Sequence, residues 1–474
     1  MVKYNRLIFN FFITLLISSY LNAEVIVVNS NLDDPALDAS VSAVTATGVI
    51  TLRSAIERVD ANSDASNTID FNIIGTAPFI IPVGTGAGVI GTALPTISKQ
   101  LAINGYSQPG ASVARLPDLN AVIAPAIIQI VLNGSAVTAG AFQDGLTFIA
   151  GSSSSVVSGL VIQEFPENGI NIQGGSAQRI VGNYIGLNQE GTTGMGNAGN
   201  GITIASGVTG VVIGTRATAD RNIISDQVSL TGAMPVSGVG IYTEGSAAQI
   251  IGNLIGTDVS GTGSIPNRTG IYVFNAAPAT PLDNNIRCNT IQNSNGTEPV
   301  EGFGVIISGA SHNPILSNSI FNNAKNGIVF INDGNDNLPA PVLTSGTASG
   351  STIDINGTLS SPANPNATFR VEFFVNSTNR APITEGQTFV GQAIVTTDGS
   401  GNAVFNNIRL PSNANPGQFV SATTTLLGLA GAIETSPYSA SLTLAQGSTE
   451  GSLSVAIYLK YCNRNDAPCV AQVA

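Results

Sequence analysis

The sequence predicts an all-β protein, a parallel β-helix of stacked coils followed by a β-sandwich. Three observations carry that reading. Charged residues make up only 10% of the chain while Gly numbers 53 and mean hydropathy is positive at +0.27, a balance that favours strands and turns. A six-residue phrase recurs seven times between Asp144 and Ile331. Past Pro339 that phrase stops, and short runs of alternating polarity replace it.

The same composition excludes other classes. Coiled coils and helical repeats need abundant Glu, Lys, Leu and Arg. A disordered chain would combine low hydropathy with high charge. With 17 Lys and Arg against 29 Asp and Glu, net −12, the basic footprint of a nucleic-acid binder is missing, so nucleic acid is excluded as a partner.

Taken in order, residues 1–23 read as a secretory signal. Lys3 and Arg6 precede an apolar run from Leu7 to Leu21, and Ala23 is a small residue at the expected cut. Its removal takes the net charge from −12 to −14. No later run reaches 18 uninterrupted apolar residues, so no membrane span is expected in the mature chain. The expected location is extracellular, at the cell surface or in the periplasm.

The β-helix is expected over 24–338, with an N-terminal cap. Thr51–Asn62 places Leu52, Ala55, Ile56 and Val59 on one helical face, suited to covering the open edge of a first coil. The segments around Leu94–Gly105 and Ile127–Gly134 read as early, less regular coils. The phrase itself follows as DGLTFI, NGINIQ, NGITIA, VGIYTE, TGIYVF, FGVIIS and NGIVFI, with its Gly at 145, 169, 201, 240, 270, 304 and 327. The shortest spacings, 23 and 24 residues, fit one bare coil, and the longer ones carry inserted loops.

Strand alternation turns Leu146, Ile170, Ile202, Ile241, Ile271, Val305 and Ile328 inward. The next inward column is Phe148, Ile172, Ile204, Thr243, Val273, Ile307 and Phe330. One coil cannot bury its apolar edge, but stacked coils make a continuous core. A second phrase aligns Asn183, Asn253, Asn289 and Asn318, whose amides can bond above and below. Asn is also expected to take the left-handed corner conformation. Gly182, Gly252, Cys288 and Ser317 form the small-residue column before them, with Cys288 expected to be unpaired and buried.

Residues 339–445 contain seven alternating runs separated by turns, which suggest a sandwich of immunoglobulin type. Residues 446–474 are an unassigned tail, in which Cys462 and Cys469 are expected to bridge a short loop, since export permits disulfides.

At these residues the chain resembles a family of bacterial secreted proteins with right-handed parallel β-helices, a pectate-lyase-like fold and a CSLREA-type N-terminus. The resemblance lies in Leu52–Ile56, Leu94–Ser112, the repeated coils and Glu372–Gly391, and covers about 24–444. The chain departs from it at Ile50–Thr51, where many members begin the helix with Cys. The family implies the fold; its relatives include polysaccharide lyases and hydrolases as well as adhesive surface proteins, so it does not imply a function.

A lyase-like site would need several carboxylates around Ca²⁺, yet Glu164, Glu167, Glu190, Asp220, Asp226, Glu244, Asp258 and Asp283 fall in no shared column. The Gly-His-Gly and Arg-Ile-Lys phrases of galacturonase-like hydrolases are missing, and the single His, His312, lies in a turn. No catalytic residue is assigned. The outward face is more informative. Thr147, Asn171, Thr203, Tyr242 and Tyr272 form one outward column and Gln173, Ala205, Glu244 and Phe274 another. At about 4.8 Å per coil, Tyr242, Tyr272 and Phe274 are expected to form an exposed aromatic patch beside Glu244, Asn171 and Gln173, suited to sugar rings. At the junction, Asp333, Asn335, Asp336 and Asn337 weakly resemble a calcium loop in what otherwise reads as a turn-rich linker; no cofactor is expected beyond a structural Ca²⁺ there.

The sequence therefore points to a secreted or surface-associated protein with a non-catalytic binding or structural role, its partner a neutral or basic glycan or another surface protein. The alternative is a polysaccharide lyase, hydrolase or epimerase acting on the helix face. A third possibility is a scaffold that docks through the sandwich alone.

Overall fold

The computed structural model describes residues 23–116, 123–138, 140, 143–227, 237–276 and 280–447. All but the last residue of the expected signal, 1–23, and Cys462 and Cys469 with their expected bridge, lie outside the described residues.

Three long sheets of nine, eight and seven strands run along the chain. Every pairing within them is parallel, and each strand pairs with the equivalent strands of the coils before and after. This is a parallel β-helix. The seven-stranded sheet is the recurring phrase itself. Its register aligns Leu146, Ile170, Ile202, Ile241, Ile271, Val305 and Ile328, all 0–1% exposed. The stack also begins earlier than the repeat shows. Ala23–Val28 pairs with Ser66–Phe71, and that strand with Gln100–Asn104.

Polar ladders close the corners. Asn183, Asn222, Asn253, Asn289 and Asn318 form a buried file. In each step the Oδ1 of one Asn accepts from the backbone N–H and the side-chain Nδ2 of the Asn one coil before, as between Asn253 and Asn289 at 2.9 and 3.0 Å. The left-handed corner expected for Asn belongs instead to the residue before it: Gly182, Gly252, Cys288 and Ser317 have φ of 66°, 73°, 60° and 51°. Cys288 is half-buried and disulfide-bonded, so it is not the unpaired buried residue expected.

The N-terminal end is covered by helix α1, Leu52–Ala61. Thr51 and Ser54 cap it reciprocally, each hydroxyl accepting the other's backbone N–H at 2.9–3.0 Å. Leu52, Ala55, Ile56 and Val59 are fully buried, as the apolar stripe requires. Arg53, 3% exposed, turns the other way and makes a bidentate pair with buried Asp33, Nε–Oδ1 3.0 Å and Nη2–Oδ2 2.8 Å. Its remaining donors reach Thr92 O and Ala93 O. The Arg of the Leu52–Ile56 motif thereby ties the helix to two loops.

The C-terminal end is covered by two sheets, antiparallel but for the short last strand Ala445–Gln446, with a shared core that includes Ile355, Phe369, Phe373, Phe405 and Val420. They dock directly on the last coils. Ile320 and Gly386 exchange backbone hydrogen bonds of 2.8 and 2.9 Å in an isolated antiparallel bridge that covers the edge of the eight-stranded sheet. The buried Glu372 carboxylate accepts from Ser317 N–H at 2.8 Å and from its hydroxyl at 3.1 Å. Glu385 accepts from Asn323 N–H at 3.0 Å. These carboxylates stand where the next coil would supply acceptors. Tyr438 packs over Gly327 and Gly386, where a Cβ would sit 2.9 and 2.3 Å from its ring.

Candidate functional site

The outward face of the seven-stranded sheet gathers the predicted residues. Parallel register stacks Tyr242 on Tyr272 and aligns Phe274 with Ser308. Ring centroids of Tyr242, Tyr272 and Phe274 lie 5.7, 6.5 and 6.1 Å apart. Tyr242 and Phe274 are nearly parallel, at 25°, while Tyr272 presents its edge to both. The patch forms as expected, but it is not exposed throughout: Tyr272 is 5% exposed, and only Tyr242 and Phe274 are half-open. Tyr272 is buried because it joins Val239 and Ile306 in an outer apolar cluster bordered by Phe303, Val329 and Ile331.

Polar groups rim this cluster. Tyr242 Oη donates to Glu244 Oε1 at 2.7 Å. Burial, with the Glu244 carboxylate beside it, pushes the Tyr242 phenol well above its ordinary range, so it stays a donor at any physiological pH. On the other side Lys325 Nζ stands 5.0 Å from the centre of the Phe303 ring.

Asn171 and Gln173 separate from each other. Gln173 is exposed, but Asn171 is 7% exposed and donates to the buried Asp144 carboxylate at 2.8 Å. Asp144 also accepts from the Thr147 hydroxyl and from the Asn168 N–H and amide. This network satisfies a buried charge through hydrogen bonds alone. It binds the first two coils of the repeat and engages the Asn171 amide N–H in the fold.

The carboxylates of the coils are likewise occupied by the fold. Glu164 is bound by Asn133, Glu167 by the Gln143 N–H, Glu190 by Asn188 and Asp226 by the Gly196 N–H. Asp258 accepts three bonds within its own loop, which hold its carboxyl below the usual range despite partial burial.

At the junction, Asp333, Asn335, Asp336 and Asn337 all take left-handed conformations. Asn335 is buried: its Oδ1 accepts from Asn313 N–H at 3.0 Å, and its Nδ2 donates to Asn313 O and Thr435 O. It is the last rung of a second ladder, Asn284–Asn313–Asn335. Asn337 donates to Asp333 at 2.7 Å. Among the described residues no group of three His, Cys, Asp or Glu side chains could hold a metal. A calcium cage needs six to eight oxygens, and the ladder already engages the Oδ1 of Asn335.

Sequence reasoning missed three groups: Asn222, the Arg53–Asp33 pair and the Glu372 and Glu385 caps. Asn222 follows Arg221 rather than one of the small residues that precede the rest of its file, and the others meet partners 20 to 62 residues away.

No protein-family model matches the chain, and no curated protein matches it. Among solved structures, tailspike protein 2 from Escherichia coli O157:H7 bacteriophage CAB120 is similar over 81% of this chain, at 9% identity and a TM-score of 0.24. This chain spans 65% of that protein's length. The tailspike protein gp49 from Acinetobacter baumannii bacteriophage Fri1, a capsular polysaccharide depolymerase, is similar over 80% of this chain and 76% of its own, at 8% identity and a TM-score of 0.22. No helix among the described residues is long and apolar enough to cross a membrane.

Proposed function

We propose that the chain is a secreted, non-catalytic glycan-binding protein whose ligand lies along the outward face of the seven-stranded sheet, over Tyr242 and Phe274. The observation that carries this reading is the pair of half-open, near-parallel rings 6.5 Å apart beside the Tyr242–Glu244 hydrogen bond. Such rings offer apolar faces to the C–H faces of sugars, and Glu244, Gln173 and the rim of the cluster offer hydrogen bonds to hydroxyls. Tyr272 supports the rings from beneath and is not a contact residue. The engagement of Glu164, Glu167, Glu190, Asp226 and Asp258 in loop structure supports the non-catalytic reading over a lyase or hydrolase, because acid–base work needs carboxylates placed toward a substrate.

The sandwich is read as immunoglobulin-type, supported by its strand order. Val342–Ser349, Thr352–Ser360 and Asn402–Pro411 share one sheet, and Thr368–Asn376, Thr388–Thr396, Phe419–Gly428 and Gly431–Thr435 the other. Its role is to terminate the solenoid. The test is a glycan array with the mature chain, beside an assay for newly formed reducing or unsaturated ends. Binding lost in Tyr242→Ala together with Phe274→Ala, without product, is the expected result.

A further inference from the structure

A cavity of about 530 Å³ opens where the sandwich meets the last coil. Its volume falls within the range of small-molecule sites, and domain junctions are where such sites commonly form. One wall is apolar, with Leu426, Ile433 and Pro339; Ser360 and Asn364 supply polar groups at another side. His312, Asp336 and Glu434 are its ionisable lining groups.

Glu434 is the unusual member. It is 3% exposed, yet it accepts only one hydrogen bond, from His312 N–H at the long distance of 3.5 Å, on Oε2. Its Oε1 accepts none among the described residues. The two other interface glutamates differ: Glu372 is held by both groups of Ser317, and Glu385 by Asn323 and by Arg380 at 2.6 Å. Cap duty therefore accounts for them but leaves half of the Glu434 carboxylate unused. Burial pushes the Glu434 carboxyl up, and the Asp336 charge adds to that. The imidazole that faces it is itself drawn to Asp283, Nδ1–Oδ1 3.3 Å. The lining thus sets two carboxyl groups, Glu434 and Asp336, against one opposing group, the His312 imidazole, and among the described residues no Lys or Arg lines the cleft.

We propose that this cleft binds a primary ammonium group carried on a polyhydroxylated ring, an amino sugar, with the ammonium between Glu434 and Asp336. An ammonium donates three hydrogen bonds, enough for the free Glu434 oxygen and for Asp336. The Leu426–Ile433 wall suits a ring face, and Ser360 and Asn364 suit hydroxyls. The site is independent of the aromatic face: monosaccharide titrations read the cleft through Glu434, whereas polymer binding reads the face through Tyr242.

The test is calorimetric titration of the full mature chain with glucosamine, N-acetylglucosamine, glucose and lysine. Glucosamine is expected to bind at least tenfold more tightly than the other three. Glu434→Gln is expected to weaken it at least tenfold with an unchanged or raised Tm. Should that variant fail to fold, Asp336→Asn, at an exposed position, provides the same comparison with an expected loss of threefold or more. Equal binding of N-acetylglucosamine or glucose would overturn the ammonium assignment, and equal binding of lysine would overturn the sugar. Absence of glucosamine binding, or binding indifferent to both substitutions, would overturn the site.

Discussion

Replacing Asn253 by Ala tests whether the asparagine file holds the coils together. Asn253 is fully buried; its Nδ2 donates to Ile213 O at 2.8 Å and to Asn289 Oδ1 at 3.0 Å, and its Oδ1 accepts from the Asn222 amide at 2.9 Å and N–H at 3.4 Å. Truncation deprives the Asn222 N–H of its acceptor and the Ile213 carbonyl of its side-chain donor. Each buried polar group left without a partner costs about 1–3 kcal/mol, so the expected loss is about 2–5 kcal/mol. Asn253→Asp keeps the acceptor for Asn222 but sets a carboxylate against Ile213 O and Asn289 Oδ1, and it should be at least as damaging at neutral pH. Thr193→Ala, exposed in an inserted loop and with no hydrogen bond to its hydroxyl among the described residues, is the control, with an effect within about 0.5 kcal/mol. Guanidinium unfolding followed by far-UV circular dichroism reads all three. An Asn253→Ala variant within 0.5 kcal/mol of the parent would refute the claim that the rungs bear stability.

Other outcomes follow from the two ends of the solenoid. Arg53→Ala leaves Asp33 buried with its Gly84 N–H bond but no cation, and should destabilise by about 3–5 kcal/mol, read as lowered Tm and early proteolysis near the N terminus. Glu372→Gln keeps an acceptor for Ser317 N–H and removes a buried charge. Burial raises the Glu372 carboxyl from its ordinary value of 4.5, so the folded chain holds that proton more tightly than the unfolded one. Its contribution is therefore most favourable below about 4.5 and is lost as pH rises through the raised folded value. The Tm of Glu372→Gln should exceed that of the parent at pH 7.5, and the gap should close toward pH 4.5; a gap that widens on acidification would contradict the assignment. Tyr272→Ala should lower stability by about 3–5 kcal/mol, as truncation of a buried aromatic does, which separates it from its neighbours Tyr242 and Phe274.

The inner architecture was legible because burial imposes a period. Each copy of the phrase repeats an inward residue every second position, so Leu146 through Ile328 could be aligned by eye, and the register follows that alignment. The α1 stripe was legible for the same reason. The outward face was only half legible. Alternation placed Tyr272 outside, but whether an outside residue is wet depends on its neighbours, and here Val239 and Ile306 bury it. Asn171 was read as a ligand group because nothing local announces that Asp144, one coil away, claims its amide. The glutamate caps were opaque for a related reason. Glu372 and Glu385 sit in a different domain from Ser317 and Asn323, and carboxylates at the end of a stack carry no periodic signature.

The most direct measurement is binding of the chain, and of its Tyr242→Ala/Phe274→Ala variant, to immobilised polysaccharides, with polymer length followed in the same samples. At roughly 1 kcal/mol or more for each ring, the account predicts at least tenfold weaker binding by the variant, at unchanged Tm, and polymers that keep their length. Shortened polymers or released unsaturated sugars at ordinary turnover would contradict it, as would a variant that binds as tightly as the parent.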